Sequence, residues 1–127
     1  MKTRYLAILT MAAGAGIGGL AVRSLHAEGK PQAYVIVEVD VANQDAYLKE
    51  YVPSAGKILR ENGATYLARG GKTASIEGDA PKRIVVLSFD SIEKAQAAFN
   101  SEAYRENRKI GLKYAKFRIF AIEAVSP

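Results

Sequence analysis

Eight side chains of this 127-residue sequence have the types and spacing for chemistry: Tyr34, Glu38, Tyr51, Tyr66, Arg69, Arg83, Tyr104 and Arg118. A phenol hydroxyl donates or accepts a hydrogen bond, and a guanidinium can hold a carboxylate through two parallel bonds. Tyr34 and Glu38 lie in the run AYVIVEVDV and Arg118 in AKFRIFAIEAV, both of which read as β-strands. On adjacent strands these three would share one end of a sheet. Arg118 with Glu38 and one tyrosine would then suit a small acid or an anionic aromatic molecule; a plain Arg118–Glu38 ion pair is the competing reading. Arg83, at the start of RIVVLSFD, completes the ligand-binding candidates. In an enzyme, Tyr34, Glu38 and Arg118 would orient and polarise the substrate.

Inventory removes much other chemistry. The chain has no Cys, no Trp and one His, His26. If the first 27 residues are cut away, no His remains. Thiolate nucleophiles, Ser-His-Asp triads, zinc sites with Cys or His ligands, an axial His for haem, and disulfides are then excluded, and no cofactor or metal is expected. Ser88 and Ser91 lack a base to activate them, and Ser91 reads as a helix cap. Gly70-Gly71 is followed by Lys72-Thr73, but position 66, where a phosphate loop has its first glycine, is Tyr, and no helix starts after the pair, so it reads as a turn between strands and not as a phosphate loop.

Residues 1–27 have a composition of their own. Lys2 and Arg4 precede an uncharged stretch from Tyr5 to Val22, followed by Arg23-Ser24-Leu25-His26-Ala27. This is the three-part plan of a secretory signal peptide cut after Ala27, which places the mature domain in the periplasm or outside the cell. The alternative is a retained inner-membrane anchor with the domain facing the periplasm, since 18 uncharged residues approach a membrane span and Gly14 and Gly18 are spaced for helix contact. Residues 28–32 read as a linker and 33–127 as the folded domain.

The formal charge is +5, from 18 basic and 13 acidic groups. Three of those bases and no acids fall within residues 1–27, and residues 105–118 hold six bases and one acid. Arg105, Arg108, Lys109, Lys113 and Lys116 in that run offer a weak contact for an anionic surface. Nucleic acid fits badly with export and no module for it is present.

Periodicity supplies the elements that position these groups. The alternation in Ala33–Val41 puts Val35, Val37, Val39 and Val41 on one face of a central strand. Asn43 is placed to cap a helix whose stripe is Ala46, Tyr47, Tyr51, Ala55, Ile58 and Leu59, with Pro53 set to kink or split it and Asn62-Gly63 to end it. Ala64–Arg69 and Arg83–Asp90 read as strands, and Ser91 caps a helix carrying Ile92, Ala95, Ala98 and Phe99. A short helix over residues 102–112 and a strand Ala115–Val125 complete the chain. The order βαββαβ with right-handed crossovers predicts an α+β, ferredoxin-like sandwich: a four-stranded antiparallel sheet with its helices on one face. Ile36, with Phe120 and Ile122 or with Phe117 and Ile119, would make the other face partly apolar, which predicts a homodimer or a covering ligand.

AYVIVEVDV, GATYLARGG, PKRIVVLSFDSIEKAQAAFNSEAY and the terminal FRIF resemble the bacterial family named domain of unknown function 1330, over residues 33–125. The chain departs from that pattern at Phe99, where a Trp is expected, and at Ala103. The resemblance implies a dimeric α/β barrel closed by two sheets from two chains, in a superfamily that includes cofactor-independent monooxygenases and isomerase-like proteins. Two functional expectations follow. One is an exported homodimer that binds a small ligand or has a structural role; the other is a cofactor-independent monooxygenase- or isomerase-like enzyme.

Overall fold

A computed structural model describes residues 30–126. The expected signal segment, residues 1–27, lies outside the described residues. Within Pro31–Val125, one compact unit, the elements are β1 (Ala33–Val41), α1 (Gln44–Ala46), a π turn (Tyr47–Tyr51), α2 (Val52–Glu61), β2 (Thr65–Arg69), β3 (Arg83–Phe89), α3 (Ile92–Asn100), α4 (Glu102–Gly111) and β4 (Ala115–Glu123). The strands lie in the order β2-β3-β1-β4, every neighbouring pair antiparallel, with β1 central as its apolar alternation predicts. The architecture is the ferredoxin-like sandwich.

Alternation decides which residues meet the helices. Val35, Val37 and Val39 of β1 and Val85, Leu87 and Phe89 of β3 are buried with Tyr47, Tyr51, Ala55, Leu59, Ala95, Ala98 and Tyr104 in one core. On β4, Phe117, Ile119 and Ala121 pack against that core, so Phe120 and Ile122 take the open face, where they are 44% and 60% exposed.

The first helical stretch is split where Pro53 demands it. Tyr47, Tyr51, Ala55 and Leu59 recur strictly every fourth residue, which overruns a 3.6-residue turn and would carry the stripe around the helix. The π turn takes up the excess: the Val52 N–H reaches back five residues to the Tyr47 carbonyl, and Pro53 then opens α2, where a missing N–H costs little. All four side chains are buried as a result. The caps form as their residue types require, with Asn43 accepting from Ala46 N, Ser91 from Lys94 N and Ser101 from Tyr104 N.

α4 closes on the π turn at Gly111. A Cβ there would sit 2.7 Å from the Tyr51 ring and 3.0 Å from Phe117, closer than carbon atoms pack. The absence of a side chain is what lets α4 reach the tyrosine. Gly111→Ala is expected to lower stability by about 1–3 kcal/mol through overpacking, read as a lowered urea midpoint; an unchanged midpoint would contradict this close approach.

Candidate functional site

The sheet has two chemically different faces. On the open face, Glu38 and Arg118 are cross-strand partners, with Arg118 Nε 3.3 Å from Glu38 Oε2. The Arg118 side chain is 77% exposed, so the pair is a surface contact that stabilises little. It borders a shallow depression of about 420 Å³ with Asp40, Lys82 and Lys116, roofed by Ala80 and Pro81. Tyr34 shares this face but pairs with Ile122, four residues farther along β1, roughly 13 Å from Glu38 at about 3.3 Å per residue. Arg83 pairs with Val39 and points to the opposite face. The structure thus brings Glu38 and Arg118 together, sets Tyr34 toward the other end, and puts Arg83 behind the sheet; the four candidates form no single cluster.

The helix face carries the denser chemistry. Tyr47, Tyr51, Tyr66, Tyr104, Arg69 and Arg83 line one chamber between the helices and the sheet, with Leu59, Phe99 and Phe117 among the apolar walls. The Tyr51 and Tyr104 hydroxyls are hydrogen-bonded at 2.9 Å and buried. The Tyr104 ring meets Phe99 edge-on with centroids 4.8 Å apart, and Tyr51 lies 5.3 Å from Phe117. The Arg83 guanidinium stands over the Tyr47 ring at 5.4 Å. Its Nε is buried and has no hydrogen-bond partner.

A backbone irregularity brings Arg69 into the group. Residues 66 and 69 would point to opposite faces of a regular strand. A bulge between Tyr66 and Ala68 pairs Tyr66 with Leu87 and Arg69 with Val85, both on the helix face. Arg69 and Arg60 then stack on the Tyr66 ring at 5.1 and 4.8 Å. At Gly70, φ is +62° and a Cβ would lie 2.5 Å from an Arg83 guanidinium nitrogen, so only glycine serves both the turn and the arginine.

Burial raises the pKa of all four chamber tyrosines. Arg83 opposes that rise at Tyr47, and Arg60 and Arg69 oppose it at Tyr66. At Tyr104 the Tyr51 hydroxyl and Arg108 oppose the rise. The phenols are therefore neutral at physiological pH, and the lining contains no carboxylate, histidine or thiol. Such a wall can donate hydrogen bonds and stack, and it has no group that exchanges a proton near neutrality.

The free space is about 40 Å³, against roughly 10–15 Å³ for one water measured in the same way. A ligand must be compact or must part the rings. Tyr51, Tyr66, Arg69, Arg83 and Tyr104 are all among the chemical candidates of the sequence, whereas Tyr47 reads there only as part of the helix stripe. The four-residue spacing of Tyr47 and Tyr51 was the available signal.

The basic run 105–118 does not form one surface. Arg105, Arg108 and Lys109 project from α4, where Lys109 is paired with Glu106, whereas Lys116 and Arg118 lie on the open sheet face.

The fold places the protein among the ferredoxin-like α+β domains. Residues 32–125 match the model of the family described as Domain of unknown function (DUF1330), and the chain belongs to that family. Among solved structures it is similar to a protein of unknown function from Rhodopseudomonas palustris, with a TM-score of 0.63 at 11% identity, covering 84% of this chain and 94% of that one. It is also similar to SnoaB, a cofactor-independent oxygenase from Streptomyces nogalater, with a TM-score of 0.54 at 8% identity, covering 76% and 96% of the two chains. An ethyl tert-butyl ether d (EthD) family protein from Bacillus halodurans gives a TM-score of 0.51 at 12% identity, covering 75% and 99%. These likenesses are of fold. No curated protein matches in sequence.

The buried hydroxyl pair makes a quantitative expectation. Tyr51→Phe or Tyr104→Phe alone leaves one buried hydroxyl unpaired and should cost about 1–3 kcal/mol, while the double variant should cost less than the sum. Because the folded pKa values are raised, their contribution is complete below the unfolded phenol value of about 10 and is lost as pH climbs through the folded values. Urea midpoints between pH 8 and 11 should therefore fall faster for the parent than for the double variant; parallel curves would refute the assignment.

Proposed function

We propose that this domain is a homodimeric binding protein that holds a compact organic ligand in the chamber between the helices and the sheet. One observation carries the reading: four tyrosines and two arginines from four different elements converge on one space, where a structural core would place aliphatic side chains. Binding is favoured over proton-transfer catalysis by the absence of a group in the lining that titrates near neutral pH. The monooxygenase- or isomerase-like alternative rests on fold likeness, which supplies no site. Export, to the periplasm or beyond or as a membrane-anchored domain, is part of the proposal and is supported by the signal-like plan of residues 1–27.

The chain lacks tryptophan and four of its seven tyrosines line the chamber, so a large share of the tyrosine emission comes from there. Titrating the full chain with benzamide, an aromatic probe that must part the tyrosine rings to enter, is expected to quench that emission saturably. Ala55→Phe, which fills the chamber wall, should abolish the effect; linear quenching equal in parent and variant would overturn the reading.

The dimer would use the open face, where Ile36, Phe120 and Ile122 leave more apolar surface exposed than a monomer favours. Phe120→Glu is expected to convert the dimer to a monomer in sedimentation equilibrium without loss of helical signal. An unchanged mass, or a monomeric parent, would count against it.

A further inference from the structure

We infer that the mouth of the chamber is a carboxylate site formed by Arg69 and Arg83, with Arg60 supporting it. This inference rests on the chamber reading above and gives its ligand a charge.

The first observation is an uncompensated concentration of positive charge. Arg60 and Arg69 share the Tyr66 ring, and both guanidiniums approach Gly56, where a Cβ would meet Arg60 at 3.2 Å and Arg69 at 3.8 Å. Arg83 lines the same chamber as Arg69. Among the described residues, no ion pair engages Arg60, Arg69 or Arg83, although Arg118, Lys94 and Lys109 all find carboxylates. Arg60 and Arg69 are exposed, so water screens part of their repulsion, and an anion at the half-buried Arg83 would offset the rest.

The second observation is independent of the first. Arg83 Nε is buried and has no acceptor, and a buried donor without a partner costs about 1–3 kcal/mol. Every nearby device holds the guanidinium in that costly place: Gly70 leaves space for it, the Tyr47 ring supports it, and the bulge at Tyr66 brings Arg69 to the same side.

The shared chemistry is an oxyanion, and the walls narrow it. Behind the arginines the chamber is lined by Val37, Val52, Leu59 and aromatic rings, which suit an organic body and not a bare inorganic ion. A planar carboxylate also matches the two-pronged donor geometry of a guanidinium. The expected ligand is a small monocarboxylic acid with an apolar or aromatic body, its acid group at Arg69 and Arg83 and its body among the tyrosines.

The test compares probes of nearly equal shape on the full chain: benzoate, its neutral counterpart benzamide, and inorganic phosphate, each followed by tyrosine emission. Benzoate is expected to bind at least about tenfold more tightly than benzamide. Arg83→Met and Arg69→Met should each weaken benzoate far more than benzamide and so remove that preference, and Arg105→Met on α4 should leave both affinities intact. Gly70→Ala, which keeps every charge but pushes the Arg83 guanidinium aside, should behave like Arg83→Met. If benzamide binds as well as benzoate, the carboxylate site is wrong and the chamber reading stands. If neither probe binds, both fall. Phosphate binding without benzoate binding would overturn the carboxylate assignment in favour of an inorganic anion.

Discussion

The buried hydrogen bond between Tyr51 and Tyr104 is the contact around which the domain is arranged. It joins the two helical segments, one from each half of the chain, across the middle of the helix layer. Each buried hydroxyl finds its protein partner in the other, and the pairing ties α4 to the π turn. Ser54, which donates to the Asn107 side chain at 2.6 Å, repeats the link one turn away. Gly111 allows it by removing the one Cβ that would hold α4 off the Tyr51 ring.

That arrangement explains why the helix face is aromatic and polar together. Tyrosines place rigid rings and hydroxyls at depth, and Arg69 and Arg83 line the same chamber, with Arg60 beside Arg69 on the Tyr66 ring. The strict four-residue spacing of Tyr47, Tyr51, Ala55 and Leu59 is tolerated because the π turn absorbs its excess over a helical repeat. The open face is built on a different principle, with a solvated Glu38–Arg118 pair at one end and Phe120 and Ile122 along the edge.

Much of this was legible in the residues. The valine alternation of β1, the caps at Asn43 and Ser91, and the break at Pro53 are local effects, determined by a few bonds around each residue. The side of the sheet that Arg83 takes could also be read, since it shares parity with Val85, Leu87 and Phe89. Grouping it with Glu38 nonetheless crossed the sheet, because β3 places Ile84, and not Arg83, beside Glu38. Tyr34 and Glu38 were rightly assigned one face, but four residues along a strand is too far for one small ligand to be gripped by both at a single point.

By itself, then, the sequence determined the order of elements, the ferredoxin-like class and the poverty of catalytic groups, because these depend on local periodicity and on inventory. The meeting of Arg69 with Arg83 and four tyrosines was decided only in three dimensions. It depends on a bulge in β2, which arises from how that strand pairs with β3 sixteen to twenty-three residues later, and which reverses the face that simple alternation assigns to Arg69. Pairing register is a property of two strands at once, and neither strand's residues specify it alone.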